Sequence, residues 1–221
     1  MQDLAQPRTL KLAGLAALAT ALACYPRFSF WLTRPESAWF LEAMVFLCSI
    51  VLWGFVFAWH TRYTGRPVFM LKIEPGPFIA VTLIGVSAAL VFHWYFDPLL
   101  RPKMPEEYPA DRRQWLASVL FSLSFDKLFL LFAPFAWLVR LTRNRPVATA
   151  LTVLFGICVL VLKIRSSHVQ FPPLLLMAFL AGRIVLGFLA VWFYLRGGMI
   201  LIWWWAFLFE ARNLLYLTGS S

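Results

Sequence analysis

Seven long runs of apolar residues follow one another along this chain, separated by short stretches that carry most of its prolines and basic residues. The runs cover 10–24, 39–60, 78–96, 115–139, 147–162, 172–195 and 199–217. Each is continuous rather than alternating, so none has the period-two pattern of a barrel strand. Backbone groups in hydrocarbon must find their partners within the segment, which makes helices the expected form. The pattern predicts an all-α, polytopic transmembrane helix bundle of about seven spans, formed as a single integral membrane domain over 1–221.

The interruptions set the boundaries. The first run is ended by Pro26 and Arg27, and 28–32 has the aromatic character of an interfacial segment. Residues 61–76 read as a loop, with Arg62, Arg66, Lys72, Pro67 and Pro75. The longest polar stretch, 97–113, holds four prolines and many of the acids, and is expected outside the membrane. Arg140 to Arg145 form a basic turn, 163–170 a short polar link, and Gly197-Gly198 a hinge between the last two runs. Arg8 and Lys11 precede an apolar run ending Ala21-Leu22-Ala23-Cys24, which resembles a lipoprotein signal. It is expected to be the first membrane helix instead.

Composition agrees with lipid as the solvent. Hydrophobic residues make up 62% of the 221 and charged residues 14%, with a mean hydropathy of +0.75. A soluble domain is about half apolar. The net charge of +10 is spread singly or in small groups at segment ends. That arrangement suits anionic lipid headgroups and argues against a nucleic-acid partner. Cys24, Cys48 and Cys158 all lie in apolar runs with no CxxC spacing, so neither a zinc site nor a disulfide framework is expected.

Ionisable groups inside spans are rare and usually paired or functional. Five stand out: Glu42, Asp126, Lys127, Arg183 and Glu210. Arg183 sits between Gly182 and Gly187, where another helix can approach closely. Glu210 lies one turn before Asn213 on the same helix face, with Arg212 off that face. Asp126, Arg183, Glu210 and Asn213 are therefore expected to face the interior as a polar cluster. Solvation at an interface is the alternative, and Lys127 can snorkel there.

The segment 126–159, DKLFLLFAPFAWLVRLTRNRPVATALTVLFGICV, and the hinged C-terminal pair resemble the CPBP intramembrane proteases (CAAX prenyl endopeptidases and bacteriocin-processing enzymes). The resemblance covers roughly 115–217. That family carries Glu-Glu-x-x-x-Arg, a basic turn, Phe-x-x-x-His and finally His-x-x-x-Asn. Here Asp126 and Lys127 fall at the paired glutamates and Leu131 at the arginine. Arg140 to Arg145 match the turn, and Pro146 and Ala148 its exit. Phe155 matches the phenylalanine, but Val159 and Phe209 replace the histidines. Asn213 is kept. The chemistry the resemblance implies is attack of carboxylate-activated water on a peptide bond, and that chemistry needs donors to stabilise the oxyanion. With both histidines and the arginine gone, the resemblance implies a protein without proteolytic activity. Asp126, Glu210 and Asn213 remain as vestigial candidates.

Other signals leave alternatives open. His93, within Phe92-His93-Trp94-Tyr95, is a candidate axial ligand for haem or a pigment, with a hydrogen-bonded interfacial histidine as the plainer reading. His60 and His168 have no ligand at i+3 or i+4. Trp203-Trp204-Trp205 covers most of a helix circumference, so at least one ring must meet protein or bound lipid. With Arg183, the three tryptophans are candidate binding residues. Glu106-Glu107 belongs to a proline-bearing extramembrane sequence rather than to a helical Glu-Glu-x-x-x-Arg.

These observations predict an accessory or scaffold subunit of a membrane complex, with membrane proteins and lipids as partners, no cofactor and no metal. A bacterial inner membrane is the expected location. The alternatives are a diverged hydrolase using Asp126, Glu210 and Asn213, a pigment- or haem-binding subunit, or a small-molecule transporter.

Overall fold

The computed structural model describes residues 4, 6–31, 35–166 and 172–219. His168 lies outside the described residues. Six helices are long and apolar enough to cross a membrane: α1 (Pro7–Trp31), α2 (Ser37–Thr64), α3 (Pro75–Leu100), α4 (Arg112–Thr142), α5 (Arg145–Ser166) and α6 (Pro173–Thr218). The chain is a helical membrane protein.

Several boundaries differ from the pattern of the sequence. α2 runs on to Thr64 and α5 to Ser166, into stretches that read as links, and α1 and α3 also continue past their expected ends. α1 passes through Pro26 instead of ending before it. The proline removes one backbone donor, but the helix continues to Trp31, whose indole donates to the Glu106 carbonyl at 2.9 Å. α3 extends beyond Asp97 to Leu100, with Pro98 in the first turn of the added segment where no donor is needed. The extramembrane loop therefore starts at Arg101. Elsewhere local chemistry marks the ends. Gly65, at φ 67°, closes α2 in the left-handed region. Asp111 caps α4, accepting from the Arg113 and Gln114 amides at 2.7 and 2.8 Å.

α1 packs on α2 through small side chains at four-residue spacing, Ala13, Ala17 and Ala21, all 3% exposed or less. The Trp53 indole donates across this contact to Thr20 Oγ1 at 2.9 Å. Four single π-turns interrupt the helices, at Val56–His60, Phe92–Phe96, Ser122–Asp126 and Leu128–Phe132. Such turns put an extra residue into the helix and often lie at functional positions.

α6 is too long for one crossing. At about 1.5 Å per residue it would measure roughly 70 Å, more than twice a hydrocarbon core. It breaks at Gly198, where φ is 64° and ψ −159°. Contacts show that the two arms fold back on each other. Phe193 and Trp205 meet edge to face at 5.4 Å. Phe92 touches both Phe179, at 6.1 Å, and Phe209, at 4.8 Å. In a straight helix those last two would lie about 45 Å apart. With its arms counted separately, α6 gives the bundle the seventh segment that the sequence pattern predicts.

The segments alternate between two ends. At the hinge end, Met199 N donates to the Val68 carbonyl at 3.1 Å, Arg66 to the Leu195 carbonyl at 2.7 Å, and Arg145 to the Thr64 carbonyl at 2.6 Å. At the loop end, the segment after α3 meets α1 and α5 through Glu107. The tightest core lies toward the hinge, where Phe132, Phe135, Tyr194, Met199, Leu201 and Ile202 are fully buried. The interior opens toward the loop end.

Candidate functional site

A cavity of about 390 Å³ lies inside the bundle on its loop-end side. α1, α3, α4, α5, both arms of α6 and the loop after α3 contribute to its wall. Asp126, Lys127, Arg183, Glu210 and Asn213 all line it. Charged side chains from helices far apart in sequence thus share one chamber among apolar neighbours.

Asp126 closes the Ser122–Asp126 π-turn. That turn sets the phase of α4 so that Ser118, Ser122 and Asp126 line the same chamber. The carboxylate accepts from Lys127 Nζ at 2.6 Å. Lys127 therefore neutralises its neighbour within the chamber.

Glu210 and Asn213 lie on one face of the second α6 arm, as their spacing requires. Asn213 Nδ2 donates to Glu210 Oε2 at 3.2 Å. The Glu210 backbone carbonyl accepts from the Trp115 indole at 2.9 Å, tying this arm to α4. Asn213 is 3% exposed, and its Oδ1 has no hydrogen-bond partner. A buried, unpaired carbonyl oxygen costs free energy unless something else donates to it.

Arg183, on the first α6 arm, reaches the same chamber. Among the described residues it has no hydrogen bond or ion pair. The small residue Gly187, one turn on, receives Val153 of α5, whose methyl groups stand 3.2 Å from where a Cβ would project. This close approach keeps α5 against the first arm.

Two residues placed elsewhere by the sequence belong here. Arg212, expected off the cluster, lines the chamber. Its Nε donates to Asp97 Oδ2 at 3.0 Å, while its guanidinium lies 4.0 Å from the centre of the Phe209 ring. A long arginine side chain spans the distance that its Cβ direction suggests it should not. Asp97 is fully buried and also accepts from the Tyr108 hydroxyl at 3.0 Å. Glu107, expected outside the membrane, lies at the chamber mouth, with Lys163 Nζ at 2.7 Å and Arg27 Nη2 at 4.0 Å. The loop folds back over the bundle, which no local pattern announces. Tyr108 lies in the same loop. Burial first, and then the Asp97 carboxylate, push its phenol above the ordinary value.

Of the remaining candidates only Trp205 lines the chamber among the described residues. Glu42, on α2, does not line it, and one of its carboxylate oxygens is buried without a partner. His93 packs against the Tyr216 ring at 4.3 Å, and its own carbonyl accepts from the Tyr216 hydroxyl at 2.7 Å. His60 is fully buried against Tyr194 at 4.5 Å. The tryptophan run is engaged within the chain. Trp203 packs on Phe69, and Trp204 donates to Thr82 Oγ1 at 2.9 Å. Trp205 is 7% exposed and lines the chamber.

At the positions the CPBP resemblance singles out, Phe209 and Leu131 line the chamber and Val159 does not. Phe155 packs edge to face on Phe129 at 5.6 Å. Among the described residues no histidine and no cysteine lines the chamber, and no three His, Cys, Asp or Glu side chains gather as a metal site requires. No protein-family model matches the chain, and no curated protein or solved structure is detectably similar to it.

Chemically the chamber offers the Asp126, Glu210 and Glu107 carboxylates, each with at least one donor or cation beside it, the Arg183 guanidinium without a direct hydrogen bond, and the unpaired Asn213 amide oxygen. It holds charge and hydrogen-bonding capacity in a low-dielectric setting, where both act strongly.

Proposed function

We propose that this chain is a non-catalytic, CPBP-like membrane protein that works by binding, as an accessory or scaffold subunit of a membrane complex. The observation that supports this most directly is the state of the chamber's carboxylates. A water-activating base needs a matched acid or oxyanion donor beside it. Asp126 is held by Lys127 and Glu210 by Asn213. The position at which the family would place a histidine beside them carries Phe209, whose ring supports Arg212 instead.

The wide apolar exterior supports a life among other membrane proteins and lipids. Trp39, Phe40, Trp94, Tyr95 and Leu174 are each more than 60% exposed. Compact connections and the family resemblance favour a bacterial inner membrane. The test is purification of the full chain in mild detergent at native expression, with mass spectrometry of what co-elutes. Membrane partners in fixed ratio support the subunit reading, and a chain that elutes alone argues against it.

A second reading rests on one specific observation. Asp126, Glu210 and Asn213 share a single chamber, as a diverged hydrolase would need. Cleavage of a co-expressed membrane peptide that is abolished by Asp126→Ala with Glu210→Ala would favour it over the binding reading.

A further inference from the structure

The unused groups in the chamber define what it can hold. Arg183 presents five donors in a planar fork and makes no direct hydrogen bond or ion pair among the described residues, its charge reaching the Asp126 carboxylate only at longer range. Asn213 presents an acceptor, because Nδ2 is committed to the Glu210 carboxylate and Oδ1 is left unpaired. In this orientation the amide donates to Glu210 and its oxygen is left unpaired. The chamber thus asks for an anion and, separately, for a hydrogen-bond donor.

We infer that the chamber takes the headgroup of a phospholipid bearing an N–H donor beside its phosphate, of the phosphatidylethanolamine type. This rests on the reading of the chamber as a site that binds. The phosphate accepts from the Arg183 guanidinium in the two-point geometry that arginine favours. The ammonium donates to Asn213 Oδ1 and to the Glu210 carboxylate. A bare phosphate satisfies only Arg183. A choline headgroup carries the charge but has no N–H to donate.

Size and surroundings agree. A cavity of about 390 Å³ has room for a headgroup and not for two acyl chains. Leu130, Ile157, Leu160, Phe179 and Leu186 supply an apolar wall on α4, α5 and the first α6 arm, along which a chain can leave toward the bilayer. At the mouth, Arg27 and Lys163 share Glu107, which leaves positive charge facing an arriving phosphate.

Native mass spectrometry of the full-length protein in mild detergent tests this, with dioleoyl phosphatidylethanolamine, phosphatidylcholine and phosphatidic acid titrated separately. The ethanolamine lipid should be retained about tenfold more tightly than the choline lipid, the value of one hydrogen bond to a charged group. Arg183→Gln should weaken all three by about tenfold. Asn213→Leu should erase the preference for ethanolamine over choline. Arg183→Lys and Asn213→Ser serve as milder variants, and helicity by circular dichroism with a single elution peak shows which variants fold. Should none fold, the wild-type comparison of ethanolamine with choline decides alone. Equal retention of those two lipids, undiminished binding by Arg183→Gln, or retention of a peptide in place of lipid would each overturn the inference. Release of lysolipid from bound ethanolamine lipid would leave the inference standing and defeat the non-catalytic reading. Loss of the lipid preference with membrane partners still co-eluting would do the reverse.

Discussion

Arg212 Nε stands 3.0 Å from Asp97 Oδ2, joining the end of the third helix to the last arm of the bundle across 115 residues. The carboxylate is fully buried, and Tyr108 donates to its other oxygen. Breaking one side of such a pair strands a charge in a low dielectric, at a cost of about 3–5 kcal/mol. Arg212→Leu and Asp97→Leu should each lower the unfolding midpoint in detergent markedly. The double variant should recover most of the loss, because two apolar side chains leave no orphan charge. Additive losses in the double variant would show that the two residues act independently.

Tyr108 gives this corner a pH dependence. Its phenol is raised above the unfolded value near 10. The folded state therefore holds the proton longer than the unfolded state does. The stabilisation is complete below pH 10 and is lost as pH rises past it toward the folded value. Thermal stability of the wild type should fall more steeply above pH 10 than that of Tyr108→Phe. Parallel curves would remove Tyr108 as the cause.

The break in the last helix depends on glycine. Gly198 adopts φ 64° with ψ −159°, and a Cβ there would stand 2.7 Å from the Val68 carbonyl oxygen. Gly198→Ala should cost about 1–3 kcal/mol from the backbone conformation alone, with more from the clash. It should also detach the 67–70 segment from the hinge, read as faster hydrogen exchange at the Met199 amide, which donates to Val68. Unchanged exchange would mean that the hinge does not hold that segment.

Trp204 donates to Thr82 and stacks on Phe78 at 5.8 Å, so it binds within the chain. Trp204→Phe keeps a ring and loses the hydrogen bond, for an expected destabilisation of about 1 kcal/mol. If the residue served an external partner instead, stability would hold while co-elution of that partner failed.

The fold was legible because lipid imposes a simple rule: continuous apolar runs must be helices, and Gly197-Gly198 divides the last of them. Asp126, Arg183, Glu210 and Asn213 were legible as a cluster because charge inside a span needs a reason. Arg212 escaped because its Cβ direction does not limit where a guanidinium ends. Asp97 and Glu107 escaped because their proline-bearing stretch reads as solvent-exposed, and only tertiary folding returns it to the bundle. The π-turn before Asp126 was not legible either. It shifts helix phase by one residue, and a sequence read at a constant 3.6-residue period cannot register that.

The central claim is that the chamber binds within a complex and does not cleave. Gentle purification of the full chain at native expression, with mass spectrometry of the co-eluting membrane proteins, tests it most directly. The account predicts membrane partners in fixed ratio, retained by the Asp126→Asn and Glu210→Gln variants. A chain that elutes alone and cleaves a co-expressed membrane peptide only while Asp126 and Glu210 are intact would contradict it.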